Sequence, residues 1–226
     1  MKNFLILLSL ILLSQPALAT LSEENNIQSR IDSIGIKLLN ENKIQKRIVF
    51  VYDKNDKEKL LSTNKTLTKR QIIIYDGLYQ FVQTDEELAA MLARQIAIAV
   101  KSYNGMWGGW IDSAQVALSS KKFELVADKR AVDYMINAGY NPLALIVFLN
   151  KTSPQKRSDF ISRHNLTSKR LARIYEYITY KYPEILEDHS YLENEYYQNF
   201  LLNSVENRAK LKEKIKNKSS KEIKYE

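Results

Sequence analysis

Segment 88–100, LAAMLARQIAIAV, constrains the fold of this chain more than any other stretch of its sequence. All of its residues are apolar except Arg94 and Gln95, which stand side by side. The preceding residues form a capping box, in which Thr84 can accept from the amide of Glu87 while Glu87 reaches back. The pattern therefore predicts a buried helix. Because burying an unpaired charge or amide is costly, its two polar residues need partners inside the protein.

The rest of the chain predicts an α+β domain with few strands. Two segments rich in β-branched and aromatic residues, 47–53 and 70–77, predict strands joined by a hairpin connection or a loop. Periodicity and capping signals predict helices over residues 21–42, 84–102, 113–138, 142–151, 167–182 and 190–216.

The first nineteen residues have the pattern of a secretory signal peptide. Lys2 is followed by a short apolar run, and Ala17-Leu18-Ala19 is a small-x-small cleavage site. Cleavage near Ala19 would leave a periplasmic or secreted protein; an uncleaved N-terminal anchor is the alternative. The chain has no cysteine, which excludes disulfides, thiol catalysis and cysteine-ligated zinc.

The positive charge of the chain is concentrated near its C-terminus. The formal net charge is +8, and much of the excess lies in the lysine-rich tail NRAKLKEKIKNKSSKEIKYE. Lysines interleaved with glutamates are typical of a solvated or frayed helix, so we expect no nucleic-acid partner. The tail could still contact an anionic membrane surface or an acidic partner.

The sequence around the apolar segment, TDEELAAMLARQIAIAVKSYNGMW, resembles the active-site helix of the HtpX-like and BepA-like zinc metallopeptidases. That family, which also includes the CAAX prenyl endopeptidases, has the run D-E-L-A-x-x-x-x-H-E-x-x-H-A. Its two histidines, at i and i+4 on one helix face, hold zinc, and its glutamate is the general base. On this sequence the three positions fall on Arg94, Gln95 and Ile98.

Two further segments resemble the same family. ELVADKRAVDYMINAGYNPLAL is similar to its second signature, which implies that Glu124 is at the position of the third zinc ligand and Asp128 at that of an aspartate beside the metal. SRHNLTSKR is similar to the His-Pro segment and following arginine near the metal. It matches at His164 and Arg170, with Asn165 in place of the proline.

The resemblance covers most of residues 45–180, including RQIIIYDGL as the strand that lines the substrate cleft. It implies a mostly helical, zincin-like (gluzincin) metallopeptidase domain with a small sheet packed on the active-site helix. We assign this domain to residues 20–186, after the signal peptide at 1–19. Residues 187–226 then form a C-terminal helix and the lysine-rich tail.

The departures from the motif predict a degenerate HEXXH and a pseudoprotease. Arg94 is permanently protonated and cannot bind a cation, Ile98 has no donor atom, and Gln95 cannot accept and pass on a proton. We therefore expect no catalytic residue, no bound metal and no cofactor, with Glu124 as the residual ligand position. The alternative is an unconventional zinc site in which His164 takes part.

The same substitutions suggest how the emptied site is filled. Without zinc, the carboxylate of Glu124 would be buried and uncompensated. We hypothesise that Arg94 pairs with Glu124, that Ile98 fills the volume of the second histidine, and that Gln95 forms hydrogen bonds within the cleft. The alternative is that Arg94 extends to solvent.

Loss of the metal need not remove a peptide-binding cleft. The strand QIIIYDG could pair with an extended polypeptide, with a loop containing Trp107 and Trp110 as a wall. We expect an exported, non-catalytic homologue that binds a polypeptide client as a chaperone, adaptor or regulator in the cell envelope. The alternatives are an active zinc metalloendopeptidase with unconventional ligands, and a structural subunit of an active protease paralogue.

Overall fold

The computed structural model describes residues 23–55, 71–102, 120–153 and 167–225. Within these ranges the chain is mostly helical with one small sheet, so the α+β prediction is confirmed at this level. The strands are β1 (Val49–Asp53) and β2 (Gln71–Tyr75). The helices are α1 (23–41), α2 (Asp76–Tyr79), α3 (Asp85–Ser102), α4 (Ser120–Asn137), α5 (Leu143–Thr152), α6 (Thr167–Lys181), α7 (Glu195–Asn203) and α8 (Val205–Lys216), with 3₁₀ turns at Pro183–Glu187 and His189–Tyr191.

Helix α3 is the central element of the core, as its sequence predicts. From residue 87 to 99 every residue except Arg94 is buried. At the start of the helix, the amide of Glu87 donates to Thr84 Oγ1 at 3.2 Å. The Glu87 carboxylate reaches back to the amide of Gln83 at 2.9 Å, one residue earlier than in the standard capping box. The local signal therefore specified both the type and the start of this helix.

Helix α4 packs along α3 and ends in a turn that fixes its position. Gly139 adopts a φ of +74°, and the amide of Tyr140 donates to Met135 O at 2.9 Å, which is the geometry of a Schellman cap. The amide of Asn141 donates to Glu86 Oε2 in the first turn of α3, at 2.7 Å. The Gly-Tyr-Asn-Pro turn thus ties the end of α4 to the start of α3.

The two strands pair in parallel, which corrects one expectation. Val51 lies opposite Ile73, and the same register runs from Val49 with Gln71 to Asp53 with Tyr75. A hairpin gives antiparallel strands, so the hairpin option is wrong: a parallel pair needs a crossover connection. The connection itself lies outside the described residues. Buried side chains of the sheet belong to the same hydrophobic core as α3.

Helix α1 packs closely against β1. A Cβ at Gly35 would lie 2.4 Å from the ring of Phe50, so only glycine permits this approach. About two turns earlier in the helix, Gln28 Nε2 donates to Phe50 O at 3.1 Å, and Gln28 Oε1 accepts from the amide of Tyr52 at 2.8 Å. The carboxamide of Gln28 therefore pairs with the edge of β1 that faces away from β2.

The single helix predicted over 190–216 is wrong. The region consists of a 3₁₀ turn and two helices that are separated at Ser204. The break is explained by packing: Phe200 of α7 joins the main core, whereas Leu211 of α8 joins a separate cluster with Ile223 and Tyr225. The largely exposed helix α8 thus confirms a solvated helix in the first part of the tail, whereas Ile223 and Tyr225 beyond it pack back onto the protein.

Three predicted features lie wholly or partly outside the described residues: the signal peptide, the loop at 105–110 and the first turns of the helix expected from residue 113. Helices α5 and α6 confirm the predictions over 142–151 and 167–182. In the described parts of the chain, no helix is both long enough and apolar enough to cross a membrane.

Candidate functional site

Four charged side chains meet between α3, α4 and α6. Arg94 comes from the middle of α3, Glu124 and Asp128 lie one turn apart on α4, and Arg170 comes from the first turn of α6. Their side chains are 19%, 7%, 1% and 8% exposed, respectively. We call this group the charge cluster. It contains two guanidinium groups and two carboxylates, so its formal charges cancel.

Asp128 is the centre of the charge cluster. Arg170 forms a bidentate pair with this carboxylate, with Nε donating to Oδ2 at 2.9 Å and Nη2 donating to Oδ1 at 2.8 Å. Arg94 Nε donates to Oδ1 from the other helix, also at 2.9 Å. One buried carboxylate therefore accepts three charge-assisted hydrogen bonds.

Glu124 makes longer contacts with the two arginines than Asp128 does. Its Oε1 lies 3.3 Å from Arg170 Nη1 and 3.9 Å from Arg94 Nη2. Arg94 therefore does lie beside Glu124, as the hypothesis stated, but its principal partner is Asp128, with which it makes the shorter contact. The alternative in which Arg94 extends to solvent is wrong, since its guanidinium is turned to the buried carboxylates.

Burial and charge act in opposite directions within the charge cluster. Burial raises the pKa of Asp128, but the charges of Arg170 and Arg94 and their hydrogen bonds outweigh it and hold this pKa below its usual range. Burial lowers the pKa of Arg170, yet Asp128 and Glu124 reverse that effect and raise it. For Arg94, burial and the neighbouring Arg170 lower the pKa despite both carboxylates. Arg94 is thus the less favourably placed of the two cations.

The residues at the predicted metal position do not fit zinc. Position 94 places a cation beside the carboxylates, and both carboxylates are already bound to guanidinium groups. Position 98 supplies hydrocarbon: Ile98 is buried in a small cluster with Phe123 and Ala127 of α4. Within the described ranges, no three histidine, aspartate or glutamate side chains form a group that could hold a metal. We therefore derive no chemical step through zinc.

The remaining site residues of the sequence prediction are distributed as follows. Gln95 is buried next to Arg94, at 5% exposure. His189, the other histidine of the chain, is exposed in a 3₁₀ turn. His164, Asn165 and the two tryptophans lie outside the described residues.

Sequence reasoning missed a second buried ion pair beside α3. Lys151 Nζ, at the end of α5, lies 2.7 Å from Glu87 Oε1, and the two side chains are only 3% and 2% exposed. A capping glutamate normally faces solvent, so the capping pattern gave no sign of this role. The clue in the sequence was Lys151 itself, at the end of a helix whose preceding residues are almost all apolar.

Comparison of the chain with protein-family models, with curated proteins and with solved structures found no match. The resemblance to zinc metallopeptidases therefore stays a prediction, based on the motifs quoted from the sequence. What the structure adds is the local geometry of those motifs. Arg94, Glu124, Asp128 and Arg170 come from three separate sequence segments and are in contact.

Proposed function

We propose that this protein is an exported, non-catalytic relative of the HtpX-like and BepA-like metallopeptidases, with a zincin-like fold, that binds extended polypeptides. The observation that carries the proposal is the charge cluster. The proposal is supported because Arg94 and Glu124, which match two of the three ligand positions, lie 3.9 Å apart, with a guanidinium at one of them in place of a ligand. The positive charge that zinc would supply comes instead from two arginines.

The electrostatic logic of this replacement is simple. Glu124 and Asp128 bring two negative charges into a site that is almost closed to water. A buried charge without a counter-ion is strongly destabilising. Arg94 and Arg170 supply two positive charges, so the site is neutral without a metal. Such a site can serve as a structural support, whereas hydrolysis would need an open metal position and a general base.

Peptide binding is supported by the unequal edges of the sheet. The outer edge of β1 is already paired with the carboxamide of Gln28. Phe50 O and Tyr52 N point to Gln28, so the N–H and C=O of Val51, between them, point to β2. Ile73 lies opposite Val51 in the parallel register, so its own N–H and C=O point the other way, to the outer edge of β2. Within the described residues no strand pairs with that edge. An extended peptide could therefore add to the sheet beside β2.

The test compares two variants at Ile73. Proline removes the outward N–H and, at an edge position, leaves the ladder to β1 intact, whereas valine keeps the N–H. The assay is the fluorescence anisotropy of a labelled short peptide of alternating threonine and valine, incubated with the mature protein. We expect the wild type and Ile73→Val to bind it and Ile73→Pro to lose binding by tenfold or more, which corresponds to about 1.4 kcal/mol.

Two controls make the result decisive. Circular dichroism must show that Ile73→Pro is folded, and a peptide with alternate N-methylated amides must fail to bind the wild type. Equal binding by the proline and valine variants would contradict strand addition at β2. Cleavage of the peptide that a chelator abolishes would instead favour an active metallopeptidase.

A further inference from the structure

A concave pocket with an unusual lining opens between α5, α6, α7 and the start of α8. Its volume is about 330 Å³, and its wall carries four asparagines, Asn150, Asn199, Asn203 and Asn207. Among the described residues, no charged side chain is part of the lining, although Arg208 Nε donates to the lining hydroxyl of Ser204 at 3.2 Å. A volume of this size is at the lower end of the range for small-molecule sites, about 300–1,000 Å³. The peptide edge at β2 involves none of these residues.

Three of the asparagines form a row. Asn199, Asn203 and Asn207 follow one another at a spacing of four residues, across the break between α7 and α8. Asn199 and Asn203 therefore share one face of α7, and Asn207 of α8 lines the same pocket from beyond the break. Asparagine is among the weaker helix formers, so helix stability does not explain this row. The position of the row on the wall of a pocket points instead to a role in ligand binding.

Several of the carboxamides are held in place by the protein. Asn203 Nδ2 donates to Asn199 O at 2.9 Å and also contacts the Asn199 carboxamide oxygen. On the opposite wall, Asn150 Nδ2 donates to Tyr196 O at 2.8 Å. Polar groups that are fixed before a ligand arrives lose less conformational freedom on binding. The pocket wall is thus preorganised.

The chemistry of the lining selects the class of ligand. A carboxamide offers both an acceptor oxygen and two N–H donors, and the hydroxyls of Ser168 and Ser204 both donate and accept. A ligand hydroxyl can match either end of a carboxamide. Leu171 and Phe200 add apolar surface for the C–H groups of a ring. The described lining holds no charged side chain that could compensate an ionised ligand, and the nearby guanidinium of Arg208 is already bonded to Ser204 Oγ and Leu201 O.

We propose that this pocket binds a neutral, polyhydroxylated small molecule of monosaccharide size. The probes are D-glucose and N-acetyl-D-glucosamine, with D-gluconate as the charged counterpart. Saturation-transfer NMR and titration against the full mature chain should give saturable binding of at least one neutral probe, with a Kd on the order of millimolar. Gluconate should bind at least tenfold more weakly.

The variants separate the pocket from unspecific contact. Asn199 and Asn203 are exposed enough to be replaced without disturbing the core, so the double variant Asn199→Leu/Asn203→Leu should fold and lose binding at least tenfold. Asn217→Leu, at an exposed asparagine beyond the pocket, should bind as the wild type does. Absence of saturable binding of either neutral probe up to about 50 mM would overturn the proposal, as would equal binding by the double variant.

Discussion

Replacing Asp128 by asparagine should destabilise this protein more than any other single change in the charge cluster. The substitution keeps the volume of the side chain, so it creates no cavity. It replaces the carboxylate that accepts three hydrogen bonds from Arg94 and Arg170 with a neutral carboxamide. The N–H₂ group of the carboxamide is a donor, so it faces a guanidinium donor with which it cannot form a hydrogen bond. The formal charge of the cluster then changes from zero to +1, at a carboxylate that is 1% exposed.

The expected magnitude follows from that burial. Breaking a buried ion pair by removing one partner typically costs about 3–5 kcal/mol, and we expect about 4 kcal/mol for Asp128→Asn. The matched control variant is Arg94→Met, which leaves the bidentate pair of Asp128 and Arg170 intact. Because the Arg94 side chain is 19% exposed, we expect its loss to cost only about 1–2 kcal/mol. Urea unfolding followed by circular dichroism measures both values.

The effect should depend on pH with a defined sign. The folded pKa of Asp128 is depressed, so its contribution is fully present above the unfolded value of about 3.9 and is lost as the pH falls through the lower, folded pKa. The stability difference between wild type and Asp128→Asn should therefore narrow below about pH 4. A loss under about 1 kcal/mol at pH 7, or a larger loss for Arg94→Met, would refute the placement of Asp128 at the centre.

Three further predictions test other contacts by urea unfolding. Adding Glu124→Gln to Arg94→Met restores neutrality and should recover about 1 kcal/mol; a further loss would show that charge balance does not stabilise the site. Gln28→Ala frees the outer edge of β1, so it should cost about 1–2 kcal/mol and add a second peptide site in the anisotropy titration, whereas unchanged stoichiometry would count against edge protection. Lys151→Met leaves the buried carboxylate of Glu87 without its cation, which should cost about 3 kcal/mol or more, and Glu87→Gln in the same chain should relieve part of that loss.

The parts of this fold that depend on local signals could be predicted from the sequence. The apolar run and its capping box specify α3, because both act within a few residues of each other. Gly139 marks the end of α4 for the same reason, since the helix C-cap that it forms requires a positive φ. Glu124 and Asp128, four residues apart, share one face of a helix, so a joint role was also predictable.

The predictions that were wrong concern contacts between elements that are far apart in the sequence. Whether Arg94 meets Glu124 or Asp128 is decided by how α3 lies against α4 and by the competing bond from Arg170, and neither is encoded in a spacing. The continuous apolar runs IVFVY and IIIY are typical of parallel strands, but short runs of this kind also occur in antiparallel pairs, so the direction of pairing was left open. Nothing near Ser204 predicts a break, which arises because the residues on its two sides pack into different clusters.

The central claim is that arginine has replaced zinc at this site. Its most direct test is the zinc content of the chain produced from Thr20 onward, measured by elemental mass spectrometry after purification without chelators or a histidine tag. We predict much less than one zinc per chain, because the carboxylates of Glu124 and Asp128 are occupied by guanidinium groups. About one zinc per chain, lost on Glu124→Gln, would contradict this account and make the protein a metalloprotein with an unconventional set of ligands.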